Sequence, residues 1–323
     1  MSSTPPSSLL VLLLCLPSLT LPLPALALAT SRRSPSSLLH QFWPRHPPNA
    51  PRSEPAAGYF PPSDGGGAQL TEAPGTSPPA GEPLNVILAG TSDPAVLVDS
   101  QADGGFRNFF LGVGFTSECL GQHEGAPQLA NLGDGNGYVN ETAVLRWDYG
   151  DPSLGTCRET VQGGNHFRYW TQNGASANSS AVFMATSYEM PIAEGHNIVV
   201  NGYNLGRDWL VGNITNSSID TSTLTNTSTF SGTVSYAGFV YSTSISYVSG
   251  LLGNTSVGVN HGSTVGIDGQ NALDGLVAVL DVKITTIPKN ATKSSAPITA
   301  PPPPLQGLIP PLLLSLLLAA LSL

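Results

Sequence analysis

The 323-residue chain carries a net charge of −9, and its only lysines are Lys283, Lys289 and Lys293. So acidic a chain repels a phosphate backbone, which argues against nucleic acid as a partner. Beyond that, the acidic balance speaks only for solubility.

The N-terminus opens on an apolar, proline-broken run, SLLVLLLCLPSLTLPLPALALA, that ends in the overlapping small-x-small sites Ala25-Leu26-Ala27 and Ala27-Leu28-Ala29. This pattern predicts a secretory signal peptide over residues 1–29, cleaved near Ala29, although no Lys or Arg precedes it. Cys15 would leave with it. Cys119 and Cys157 remain, an even number in an oxidising compartment, and are expected to form a disulfide. No CxxC pair is present, so metal thiolates are not expected.

Residues 30–83 are rich in Pro, Ser, Gly and Ala and show no apolar period. Such a segment buries too little surface to offset its ordering entropy, and a disordered arm is expected. The dibasic pair Arg32-Arg33 is read either as a processing site or as two solvated charges. From 84 to 289 the texture is β, with short apolar runs punctuated by Gly, Asn, Ser and Thr. Leu84–Ala89 and Ala95–Val98 read as the first strands. Phe109, Leu111, Val113 and Phe115 alternate with smaller or polar residues, as do Ala143, Leu145 and Trp147. Tyr241, Thr243, Ile245 and Tyr247 alternate with serines, and Leu276, Ala278, Leu280, Val282 and Ile284 share one face. The expected fold is all-β: about ten strands in a two-sheet antiparallel sandwich or jelly roll with few short helices.

Seven Asn-x-Ser/Thr sequons occur, at Asn140, Asn178, Asn213, Asn216, Asn226, Asn254 and Asn290. With a signal peptide, they predict several glycans. The run from Asn213 to Thr229 holds three of them and reads as an exposed loop.

The C-terminus, residues 290–323, sets small residues at Ser294, Ser295 and Ala296 before a Pro-rich spacer and an apolar tail from Leu308. That order is a glycosylphosphatidylinositol (GPI) attachment signal, with Ser294 as the preferred attachment residue. A membrane span is the alternative. It needs about 20 apolar residues, whereas the tail has 16, contains Pro310 and Pro311, and is followed by no basic residue. The expected location is the cell surface or cell wall, with the membrane reached through a lipid.

Candidates for chemistry follow from residue type. In GGNHFRYWTQNG, a strand would place His166, Arg168, Trp170 and Gln172 on one face and Phe167 and Tyr169 on the other. With Trp147, these His, Arg and Trp side chains are candidates for gripping a sugar. The alternative is a Phe/Tyr core face opposite a satisfied polar ladder. For hydrolysis of wall polysaccharide, the residues to test are Asp148, Asp151, Glu159 and His166, because glycosidases need two facing carboxyl groups. GDGNG at Gly133–Gly137 lacks the later ligands of a calcium loop, since Tyr138 and Leu145 fill their places. It reads as a hairpin turn. No GxSxG elbow, P-loop, HExxH or dinucleotide motif is found, and neither cofactor nor metal is expected.

Taken together, GNGYVNETAVLRWDYGDPSLGTC, GGNHFRYWTQNG, NGYNLGRDWLVGN and GLVAVLDVKIT resemble a group of secreted or GPI-anchored fungal proteins of unassigned function. That resemblance covers about Leu84 to Lys289 and implies a fungal surface glycoprotein. It transfers no active-site role. The sequence reading is therefore a GPI-anchored glycoprotein with a structural or ligand-binding role. The alternatives are a glycoside hydrolase-like enzyme and a lectin-like adhesin.

Overall fold

A computed structural model of the protein describes residues 55–289, except 77, 124, 196, 267 and 268. In chain order it contains β1 (Val86–Leu88), α1 (Phe106–Val113), β2 (Phe115–Ser117), β3 (Leu129–Ala130), β4 (Val139–Asn140), β5 (Ala143–Trp147), α2 (Gly155–Gln162), β6 (Gly164–Gly174), β7 (Ala177–Glu189), α3 (Gly202–Thr215), β8 (Thr229–Tyr236), β9 (Phe239–Ser249), α4 (Gly262–Val265) and β10 (Leu276–Thr286). The architecture is mostly β, with few helices, as the sequence pattern leads one to expect.

The arrangement differs from a two-sheet sandwich. Eight strands form one sheet in the order β2-β5-β6-β7-β1-β10-β9-β8, and β3 and β4 make a small separate pair. Every neighbour in the large sheet is antiparallel except β1 and β10, which run parallel. The sheet curls around α1, which touches β2 and β8, the strands at its opposite edges. A helix thus fills the place of the second sheet.

The reason lies in residues that the alternation reading misassigned. Phe106, Phe109, Phe110 and Val113 recur at i, i+3, i+4 and i+7, the spacing of one helical face, and all four are buried. Gly114 ends the helix in the left-handed region, at φ 94°, and only then does Phe115 begin a strand. Phe110 packs on Phe167 and Phe115, and Phe109 packs edge-on against Tyr241. The concave face is therefore an aromatic and aliphatic core that also takes Leu145, Tyr169, Leu280 and Val282 from the strands and Leu210, Val211 and Ile214 from α3. Glycine lets α3 approach closely. A Cβ on Gly206 would lie 2.7 Å from the Ser187 backbone, and one on Gly232 would lie 2.2 Å from the Ile214 carbonyl oxygen.

Two further expectations are corrected. Residues 95–98 form a turn rather than a strand. The segment 55–83, expected to belong to a disordered arm, is ordered on the convex side of the sheet. Tyr59 and Phe60 are buried there, with Gln69, Thr71 and Glu82. The segment pairs with itself, Thr71 N–H donating to the Glu82 carbonyl, and with Leu129 through Glu72; from the sheet, Gln172 accepts from the Phe60 N–H and donates to the Phe60 carbonyl, each at 2.9 Å.

Cys119 and Cys157 are disulfide-bonded across a separation of 38 residues. Gly133–Gly137 lies in the connection between the paired β3 and β4. Asp134 within it accepts from the Asn173 and Gly174 N–H groups, at 3.1 and 2.9 Å, and ties that turn to the β6–β7 hairpin. Among the described residues no helix is long and apolar enough to cross a membrane. The signal peptide, Asn290, Ser294 and the apolar tail lie outside the described residues.

Candidate functional site

An aromatic cleft of about 730 Å³ lies beside α3. Trp147, at the end of β5, supplies one wall. Tyr188, near the end of β7, stands behind Trp209 of α3. Leu205, Trp209, Gly212 and Asn213 recur at helical spacing and so present one face of α3 to the cleft. Residues 216–219 and Thr221 complete the rim. The Trp147 and Trp209 rings meet edge to face, with centroids 4.5 Å apart, and Tyr188 lies 6.4 Å from Trp209. The wall is apolar while the rim offers amides and hydroxyls from Asn213, Asn216, Ser217 and Ser218. Asn213 Nδ2 is shielded from solvent and has no acceptor among the described residues. A second hollow of about 890 Å³ shares Leu205, Ile219 and Thr221 with this cleft and carries the groove onward toward Asn271 and Asp274.

The carboxylate at the cleft is Asp208, and it is fully engaged. The buried Arg207 donates to its two oxygens at 2.7 and 3.0 Å, and the Tyr247 hydroxyl donates at 2.7 Å. Arg207 binds Asp274 of the adjoining hollow through two further 2.8 Å bonds. Burial acts to lower the Arg207 pKa, but its bonds to Asp274 and Asp208 outweigh that and hold it above the ordinary value. The same burial, with the nearby Asp208 charge, pushes the Tyr247 phenol up. Arg207 thus engages both oxygens of each carboxylate.

A second group of carboxylates, Glu118, Glu159 and Glu189, gathers around Arg146 on the convex face. Arg146 of β5 is 2 % exposed and reaches Glu159 of α2 at 2.9 Å, Glu189 of β7 at 3.3 Å and Glu118 at 3.4 Å. His166 of β6 stands opposite Arg146 in the β5–β6 register, with Nδ1 3.4 Å from Glu189. Burial works against the Arg146 charge, but the attraction of Glu159 and Glu189 carries its pKa up. The disulfide closes this cluster, since Cys119 follows Glu118 and Cys157 lies two residues before Glu159. Glu159, His166 and Glu189 each bring one ligand atom within 4.8 Å of the others, a spacing that suits a divalent ion. No linear motif signals that trio, because three separate elements supply it. The guanidinium already lies on both carboxylates, so the arrangement is an ion-pair hub.

The candidates drawn from sequence separate accordingly. The predicted split of β6 is observed: Phe167 and Tyr169 join the concave core, while His166, Arg168, Trp170 and Gln172 face the other way. That second face is buried rather than open to a sugar. Trp170 is 1 % exposed and donates through Nε1 to the Val139 carbonyl at 3.1 Å. Arg168 pairs with Glu141 at 2.7 Å. Of the four proposed binding residues, Trp147 alone lines the cleft. Its partners Tyr188 and Trp209 escaped the sequence reading; the only available signal was the spacing of Trp209 with Leu205 and Asn213 on a helix hidden by glycines. Asp148 is buried, which raises its pKa, and accepts from the Gly150 N–H at 2.8 Å. Asp151 accepts from the Ser153 and Leu154 N–H groups at the approach to α2. These two carboxylates stabilise a turn and do not face each other across a groove. Asn140, Asn178, Asn216, Asn226 and Asn254 are exposed, whereas Asn213 lies in α3 rather than in a loop.

Comparison of the chain with protein-family models, curated proteins and solved structures finds no match.

Proposed function

We propose that this chain is an extracellular, lipid-anchored surface glycoprotein whose β domain holds a saccharide in the Trp147–Tyr188–Trp209 cleft without hydrolysing it. One observation carries the reading: indole and phenol walls stand over a rim of amides and hydroxyls. Sugar rings offer apolar C–H faces to such walls and hydroxyls to such rims. Hydrolysis is disfavoured because a glycosidase needs two carboxyl groups roughly 5–9 Å apart, one of them an acid, whereas Asp208 is locked by Arg207 and Tyr247. The end signals and sequons support the surface location, and wall polysaccharide is the ligand class that location supplies.

The test is a glycan array followed by titration of the best ligand. Trp209→Ala should abolish binding, and Trp209→Phe should retain part of it. Binding indifferent to Trp209→Ala, or turnover of the bound glycan, overturns this reading. For the anchor, mass spectrometry of the mature protein should end at Ser294 bearing a glycolipid, and recovery of peptides from residues 308–323 counts against it.

A further inference from the structure

The same face of α3 that carries Trp209 ends at a sequon. Asn216 follows Trp209 by seven residues, two helical turns, which places the two on one side of the helix about 10 Å apart along its axis. Asn216 caps α3 in the left-handed region, at φ 51° and ψ 42°, and its N–H bonds the Gly212 carbonyl. Asparagine is one of the few residues suited to that position, so its backbone has a structural role. Its side chain has another opportunity: it is exposed, and Asn216, Ser217 and Ser218, the whole sequon, line the cleft.

We infer that the N-glycan on Asn216 lies back along α3 and seats its first N-acetylglucosamine rings against Trp209 and Trp147, closing the cleft to outside saccharides. This rests on the reading of the cleft as a saccharide site and names what regulates it. Two observations converge. The attachment point is on the rim. The wall is aromatic, suited to the C–H face of an N-acetylglucosamine ring. The two neighbouring sequons thereby acquire opposite fates. Asn213 has its amide nitrogen shielded by the fold and stays bare, while Asn216 is modified. Attachment at high local concentration favours the tethered sugar over a free one. Only molecules lacking the Asn216 glycan present an open cleft.

The experiment uses the full chain secreted from a eukaryotic host. Glycopeptide mapping should find sugar on Asn216 and none on Asn213. Acrylamide quenching of tryptophan fluorescence should rise in Asn216→Gln, stay unchanged in the control Asn178→Gln, and lose the increment when Trp209→Phe is added to Asn216→Gln. The affinity of Asn216→Gln for the array-selected saccharide should exceed that of the glycosylated protein by roughly tenfold or more. A bare Asn216, or quenching identical with and without its glycan, overturns the inference. If quenching rises but Asn216→Gln binds no saccharide, the proposed function fails while the tethered-glycan contact stands.

Discussion

The two faces of the large sheet are built on opposite principles. The concave face closes on α1 and α3 through Phe106, Phe109, Phe110, Phe167 and their aliphatic neighbours. The convex face has its own apolar cluster around Trp170 and Phe183, but beside it sit Arg146, Glu159, His166 and Arg168, all largely buried. The same strands serve both, residue by alternate residue. The concave face holds mainly by buried area, although Arg207 and Asp208 are buried beside Tyr247 of the same cluster. The convex face holds by balance, where each charge is tolerable only because another faces it.

The largest expected effects test that difference directly. Phe110→Ala should destabilise the domain by about 3–5 kcal/mol through transfer and cavity terms, and a second truncation on that face should deepen the loss. Arg146→Met should cost a similar amount, about 3–5 kcal/mol, by stranding buried carboxylates. Adding Glu159→Gln to Arg146→Met should then recover stability. Chemical denaturation of the single and double variants reads this, and simple additivity at Arg146 and Glu159 would remove the distinction between the faces. Next in size is the disulfide that clamps Glu118 and Glu159 together. Cys119→Ser with Cys157→Ser should lower stability by about 3–4 kcal/mol through loop entropy. That loss should shrink in the Arg146→Met background if the bond also serves the charge cluster.

The smallest effect concerns Glu82, which faces Arg168 from the segment 55–83. Burial, the dominant influence, raises its carboxyl pKa above the ordinary 4.5. A carboxyl raised in the folded state adds stability below its unfolded pKa, and that contribution fades as pH climbs through the raised value. Glu82→Gln cannot lose a proton there. Its melting temperature relative to the wild type should be constant below pH 4.5 and should rise by a few degrees toward neutrality. A difference that does not vary with pH would mean that Glu82 titrates alike in both states.

What could be read in advance follows the same divide. Alternation disclosed β9, where bulky residues alternate with serines, and the latter half of β10, where Leu280, Val282 and Ile284 alternate with Asp281 and Lys283, and it disclosed the split of β6. It misread α1, where Phe109, Leu111 and Val113 mimic a strand although Phe106, Phe109, Phe110 and Val113 set the helical period. It gave no hint that 55–83 folds, since bonds such as Thr71 N–H to the Glu82 carbonyl, and those to Leu129, Asn131 and Gln172, leave no apolar period in the sequence. The cleft was legible only at Trp147. Its remaining walls come from β7 and α3, and linear order does not show that Tyr188 and Trp209 meet. Glu159 and His166 were recognised as residues of interest, but the sequence offered no means of seeing that they meet Glu189 across Arg146.

The position of the final strand has a mechanical consequence. β10 is an interior strand, bonded to β1 along one edge and to β9 along the other. Tension entering the domain from beyond Thr286 therefore meets the β9 ladder first, along residues 281–286, and the β1 ladder only at residues 278–280. Such a strand must slide past its neighbours before it can detach, whereas an edge strand would peel away bond by bond. Under the proposed C-terminal tether, the load would fall on a strand with a neighbour on each side rather than on a sheet edge.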